Sequence, residues 1–218
     1  MKKMILVLFT LYFIALGQVV QAAESPSADV LRAAEDGLTT FLKSPGVRNL
    51  DKLGFSNTQE VDAAVIGQGF RISILAPAKV LASVGDEHLS TLSTPSDTWQ
   101  FLVLSGGIPK ALLTVTLLDG SWTAVSFGAH GLAMELASVL EQWPASNFTH
   151  TLIRSYQAKS DFIELSDRGT ILGVVPLISA REMMAKPLLA VRALQVGKPG
   201  DVLPSLREQV RMNLQNRS

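Results

Sequence analysis

The chain has 218 residues, with 19 Lys and Arg against 19 Asp and Glu, three His and no Cys. That length is enough for one moderate domain or two small ones, and ample to bury a hydrophobic core. The lack of Cys excludes a disulfide framework, a thiol nucleophile and a thiolate metal site.

Lys2 and Lys3 follow the initiator Met, and Met4 to Leu16 is uncharged and almost wholly apolar. A basic n-region before such an h-region, with small residues at Val20-Gln21-Ala22, is the pattern of a secretory signal cleaved after Ala22. The run is shorter than the roughly 20 apolar residues of a membrane span. Residues 1–22 are therefore expected to be removed and the mature protein to work in a periplasmic or extracellular space, with no membrane span after cleavage. Without Lys2 and Lys3, 17 basic residues face 19 acidic ones, which gives no electrostatic reason to expect nucleic acid as a partner. The charge is unevenly spread: 23–178 carries 10 basic and 16 acidic residues, and 179–218 carries 7 and 3. This divides the mature chain into an α+β body over 23–178, with a helical part at 23–97 and a sheet part at 98–178, and a basic helical tail over 179–218.

Ser25-Pro26 has the chemistry of a helix start, and Val30, Leu31, Ala34, Leu38, Phe41 and Leu42 then recur at helical spacing as far as Ser44-Pro45-Gly46. Ser56 with Gln59 predicts a capped short helix reaching about Ile66. Phe70, Ile72 and Ile74 alternate with Arg71 and Ser73, which predicts a strand over 69–75. Residues 85–97, rich in Ser, Thr and Asp, read as a polar surface loop.

Strands are predicted over 99–104, 111–118 and 121–127, the last two joined by Asp119-Gly120, a pair that tolerates the positive φ of a tight hairpin turn. Leu132, Leu136, Val139, Leu140 and Trp143 form a helical stripe ended by Pro144. Further strands are read over 148–156, 161–165 and 170–175, and a terminal helix from Pro204 or Ser205 to about Asn213. The fold class is thus α+β, with helices packed on a mainly antiparallel sheet of about six to seven strands, because short hairpin links cannot make parallel pairs. From Trp99 onward the order of three strands, helix, three strands, helix resembles that of the profilin-like group of small sheets, longin and roadblock domains among them. That resemblance is one of element order; it implies a scaffold for partners or a sensor of small ligands.

Catalysis and metal binding need His, carboxylates or an activated hydroxyl brought together, and the inventory is thin. Asp86-Glu87-His88 has metal-binding atoms, but consecutive side chains diverge, so no metal site is expected there. No cofactor is expected either: Gly67-Gln68-Gly69 precedes a strand rather than following one, and there is no Walker A loop or Gly-x-Ser-x-Gly elbow. Gly128, His130 and Gly131 at a helix start are candidates for holding an anion, and Trp99 and Trp122 for lining a ligand cleft. Asp161, Glu164 and Asp167 are the candidates for a carboxylate pair. The function expected from this balance is a non-enzymatic exported domain that binds a partner protein or a small ligand. The alternatives are an accessory, inhibitor or chaperone of a co-exported protein, and a hydrolase with a scattered carboxylate site.

Overall fold

In the computed structural model, residues 25–43, 50–184 and 194–216 are described. Helix α1 (Ala28–Lys43), a 3-10 turn (Leu50–Leu53) and α2 (Thr58–Asp62) precede strand β1 (Ala64–Leu75). Helices α3 (Pro77–Ala82) and α4 (Leu89–Leu92) lead to the meander β2 (Ser93–Ser105), β3 (Ile108–Leu118) and β4 (Ser121–Gly128). Helix α5 (His130–Gln142) is followed by a second meander, β5 (Thr149–Ser155), β6 (Ser160–Asp167) and β7 (Thr170–Pro176), and then by α6 (Ile178–Met183) and α7 (Pro199–Gln215). The signal segment, with its cleavage position Ala22, lies outside the described residues. No helix among the described residues is long and apolar enough to cross a membrane.

All seven strands join one sheet in the order β4-β3-β2-β1-β5-β6-β7. Every neighbouring pair is antiparallel except β1 with β5, which run parallel and pair only over Ile72–Leu152, Ser73–Ile153 and Ile74–Arg154. The fold is therefore α+β, with an open mixed sheet. Three two-residue hairpins and the four-residue β5–β6 turn build the meanders, and in all three two-residue turns, Gly106-Gly107, Asp119-Gly120 and Arg168-Gly169, both residues have positive φ (58° and 79°, 49° and 81°, 47° and 81°). This backbone twist matches that of the flanking strands, which is why Asx-Gly and similar pairs select it.

Period-two alternation sorts the strand side chains onto two faces. On one face Phe70, Ile72, Leu102, Leu112, Leu152, Ile163, Leu165 and Val175 form a continuous apolar floor under Ala133, Leu136 and Val139 of α5. On the opposite face the apolar cover comes in two pieces. Helix α1 packs on Trp99, Phe101, Val103, Leu113 and Val115 at the β2–β4 end. At the other end Leu75, Ile153, Phe162 and Val174 lie under α3, α4, α6 and α7.

Several elements differ from the sequence-based expectation. The cap of α1 is Ser27, whose Oγ accepts from the Val30 amide at 3.4 Å, so Ser25 and Pro26 remain outside the helix. At α2 the cap is Asn57, accepting from the Glu60 amide at 3.0 Å, while the Glu60 carboxylate accepts from the Ser56 amide at 2.7 Å. The cap thus lies one residue beyond the Ser56–Gln59 reading, with Glu60 reaching back past the cap to Ser56, and the helix stops at Asp62 because Ala64 already belongs to β1. The polar stretch 85–97 is not one loop: Leu89 and Leu92 are buried on α4, and Ser93 to Asp97 extend β2. Helix α7 starts five residues before Pro204, at Pro199, where the Asp201 carboxylate accepts from the Lys198 amide at 2.8 Å. Burial of Val202, Leu203, Leu206 and Val210 outweighs the helix-breaking tendency of Pro204.

Candidate functional site

The gap between the two helical covers is floored by polar side chains. Register places them: Thr151 lies opposite Glu164, and Thr149 opposite Ser166, on the face away from α5, while Ser73 stands beside Ile153 on that same face. Because β5 pairs with β1 only from Ile72 onward, β1 residues before Ile72 pair with β2 alone, and the sheet opens beside β5. A cleft of about 500 Å³ occupies this opening, lined among others by Arg71, Ser73, Ser90, Thr149, Thr151, Glu164 and Ser166.

Glu164 is the unusual member. It is only 3% exposed, and one bond holds it, from the Ser90 amide to Oε2 at 3.3 Å. A carboxylate has two oxygens with about four acceptor positions, and burying its charge is costly unless they are used. The hydroxyls of Ser73, Thr151 and Ser166 make no hydrogen bond with other described residues, so the floor offers unclaimed oxygen atoms beside an under-used carboxylate. Arg71, at the β1 wall, is turned toward β2, where its Nε donates to the Ser96 carbonyl at 2.7 Å and its Nη2 reaches Asp97 at 3.3 Å. The Gly67-Gln68-Gly69 bend that lets β1 diverge has a steric cause: a Cβ on Gly69 would sit 2.6 Å from the Phe101 ring, and one on Gly67 2.9 Å from Leu104.

His150 also borders the cleft, but it pairs with Leu165 and so points to the α5 face. Burial holds its imidazole below the ordinary histidine range, against a smaller opposing effect of a hydrogen bond with the Trp143 backbone. Its Nε2 is buried without a partner. Since Glu164 points the opposite way, the two do not form a catalytic dyad.

The carboxylate pair is not assembled either. Asp161 and Asp167 lie at opposite ends of β6, six residues and about 20 Å apart. Asp161 is engaged by Arg154, with Nε to Oδ1 at 2.6 Å and Nη2 to Oδ2 at 3.2 Å, and Asp167 by Arg168 at 3.1 Å. The Asp86-Glu87-His88 triplet holds a turn: the Glu87 carboxylate accepts from the Val84 and Gly85 amides at 2.7 and 2.9 Å, which holds it below the usual range. Among the described residues there is no group of three or more potential ligands that could hold a metal ion.

Of the other residues singled out in the sequence, Trp99 is 3% exposed and stacked on Phe101 in the α1 core, with Trp122 packed at its margin. His130 begins α5 and its Nδ1 lies 2.6 Å from the Lys110 carbonyl, while Gly128 ends β4 and Gly131 faces open space. None of these five lines the cleft. No protein-family model matches this sequence, and no curated protein or solved structure is significantly similar to it.

Proposed function

We propose that this protein is an exported, non-enzymatic binding module that takes a small polar ligand in the cleft between β1 and β5. The observation that carries the reading is Glu164: a nearly fully buried carboxylate with one 3.3 Å bond, at the wall of a cleft rather than in a closed core. Buried polar groups are normally satisfied, and one left under-satisfied beside an accessible space suits a ligand contact. The separation of Glu164, His150 and Asp161 onto different faces and ends of the strands supports binding rather than hydrolysis. Export rests on the basic and apolar pattern of residues 1–22, and the profilin-like element order agrees with a sensor of small ligands.

The test is to purify the mature chain, residues 23–218, expose it to the small-molecule fraction of its own exported compartment, and record native mass spectra. A retained adduct is expected, and it should be lost when Thr149→Trp fills the cleft mouth. A second reading, docking of a partner protein, is favoured by the edge strand β4, where Val125 is 43% exposed. Co-purification of a protein that Val125→Asp releases and Thr149→Trp does not would select it.

A further inference from the structure

We propose that the ligand of this cleft carries a primary ammonium group, seated on Glu164; this deepens the small-ligand reading and rests on it. An ammonium has three donors and no acceptor. The cleft floor supplies the complement, a carboxylate with free acceptor positions and, in adjacent rows of the same face, the unbonded hydroxyls of Thr151 and Ser166. Thr151 is directly across from Glu164 and Ser166 is two residues along β6, so all three oxygens border one space.

Other ligand chemistries fit less well. A divalent metal of the hard, oxygen-binding kind needs six or more oxygen ligands and usually several carboxylates, and among the described residues the cleft has Glu164 alone as an acid. An anion would face that buried negative charge. The cation within the cleft, Arg71, stands on β1, two strands and about 10 Å from Glu164 across the sheet, and it is turned to Asp97 and the Ser96 carbonyl. It therefore opposes an ammonium at Glu164 only weakly. The α3–α4 side contributes the Ser90 amide to Oε2 and no cation to Glu164.

The experiment is thermal denaturation of the mature chain with ethanolamine and putrescine as amine probes, and with acetate and glycerol as charge controls. A saturable rise in melting temperature is expected with the amines alone. Glu164→Gln should weaken the amine response by on the order of ten- to a hundredfold in affinity, the range for a charge-assisted hydrogen bond. Thr151→Val, nearly isosteric and outside the apolar core, should weaken it several-fold, and it keeps the test open if the Glu164 variant folds poorly. A response to acetate or glycerol that Thr149→Trp abolishes leaves the ligand cleft standing and overturns the ammonium assignment. Absence of any amine response also overturns it, and absence of a retained adduct in native mass spectra as well removes the ligand cleft itself.

Discussion

The two faces of the sheet solve the same burial problem in different ways. The α5 face carries an apolar layer that reaches from β3 to β7, and its polar members, His150 and the bonded group Gln100, Arg154 and Asp161, sit on the same face. The opposite face is covered at both ends and left polar in the middle, where Ser73, Thr151, Glu164 and Ser166 line the cleft. A face that gives up apolar area at its centre forgoes roughly 25 cal/mol for each Å² left unburied. The difference teaches that stability resides in the α5 face and the two flanking clusters, and that the polar strip contributes little to it.

The largest effects should therefore come from the apolar layers. Leu136→Ala on α5 is expected to lower unfolding free energy by about 2–5 kcal/mol, measured by urea denaturation. Leu206→Ala on α7, equally buried, should fall in the same range; a loss under about 1 kcal/mol would show that the second cover is peripheral and break the comparison.

Next is Asp161→Asn. Burial works to lower the Arg154 pKa, but the hydrogen bond and charge of Asp161 outweigh it and hold that guanidinium above its ordinary value. Removing the carboxylate leaves a largely buried cation with the Gln100 contact at 3.4 Å and the Tyr156 hydrogen bond, and should cost about 1–3 kcal/mol.

A smaller effect is a pH dependence from His150. Its folded-state pKa lies below its unfolded one, so the unfolded chain binds the proton first. Its contribution is fully present above about pH 6.5 and is lost as pH falls through the lower folded value. His150→Gln should flatten that part of the stability profile in chemical denaturation across pH 4.5–7.5, roughly the range where histidine titrates; an unchanged slope would refute the burial argument.

Within the strip itself, Thr151→Val should alter stability by no more than about 0.5 kcal/mol, as for a site without packing or bonding partners. The smallest effect belongs to Arg168→Ala, whose exposed pairing with Asp167 should leave the thermal midpoint unchanged.

Much of the sheet was legible in the sequence because its signals are local. Alternation marks β1 and β3, β-rich runs between turn residues mark the other strands, and Asp119-Gly120 fixes the register of β3 against β4 through the turn. The stretch 85–97 differs from the loop expectation because Ser93 to Asp97 are polar enough to suggest a loop, yet they belong to β2, and Ser93 to Pro95 pair with β1. Leu89 and Leu92, only three residues apart, are too short a period to declare a helix. The cleft was hidden for a different reason: Ser73, Ser90, Thr151 and Glu164 come from four elements, and polar residues on alternating positions normally mark a solvent-facing side. One local signal was present, a carboxylate at Glu164 between Ile163 and Leu165 in an otherwise apolar run. By residue type Glu164 suggests one member of a carboxylate pair, whereas its neighbours across the strands are hydroxyls.

The single parallel junction between β1 and β5 joins residues about 80 positions apart in the chain, while the hairpins on either side close over two residues, or four between β5 and β6. Chain closure over long separations is slow and late relative to hairpin formation. The two meanders are thus expected to assemble separately and meet at β1 and β5 as the last event, so the cleft is a product of that docking step. Its walls should also be the first to part: amide hydrogens of Ile72 to Ile74 should exchange through openings of lower free energy than those of β2 and β3. A ligand bridging the seam would then act as a fastener on the final folding step, slowing exchange there while leaving the meanders themselves unaffected.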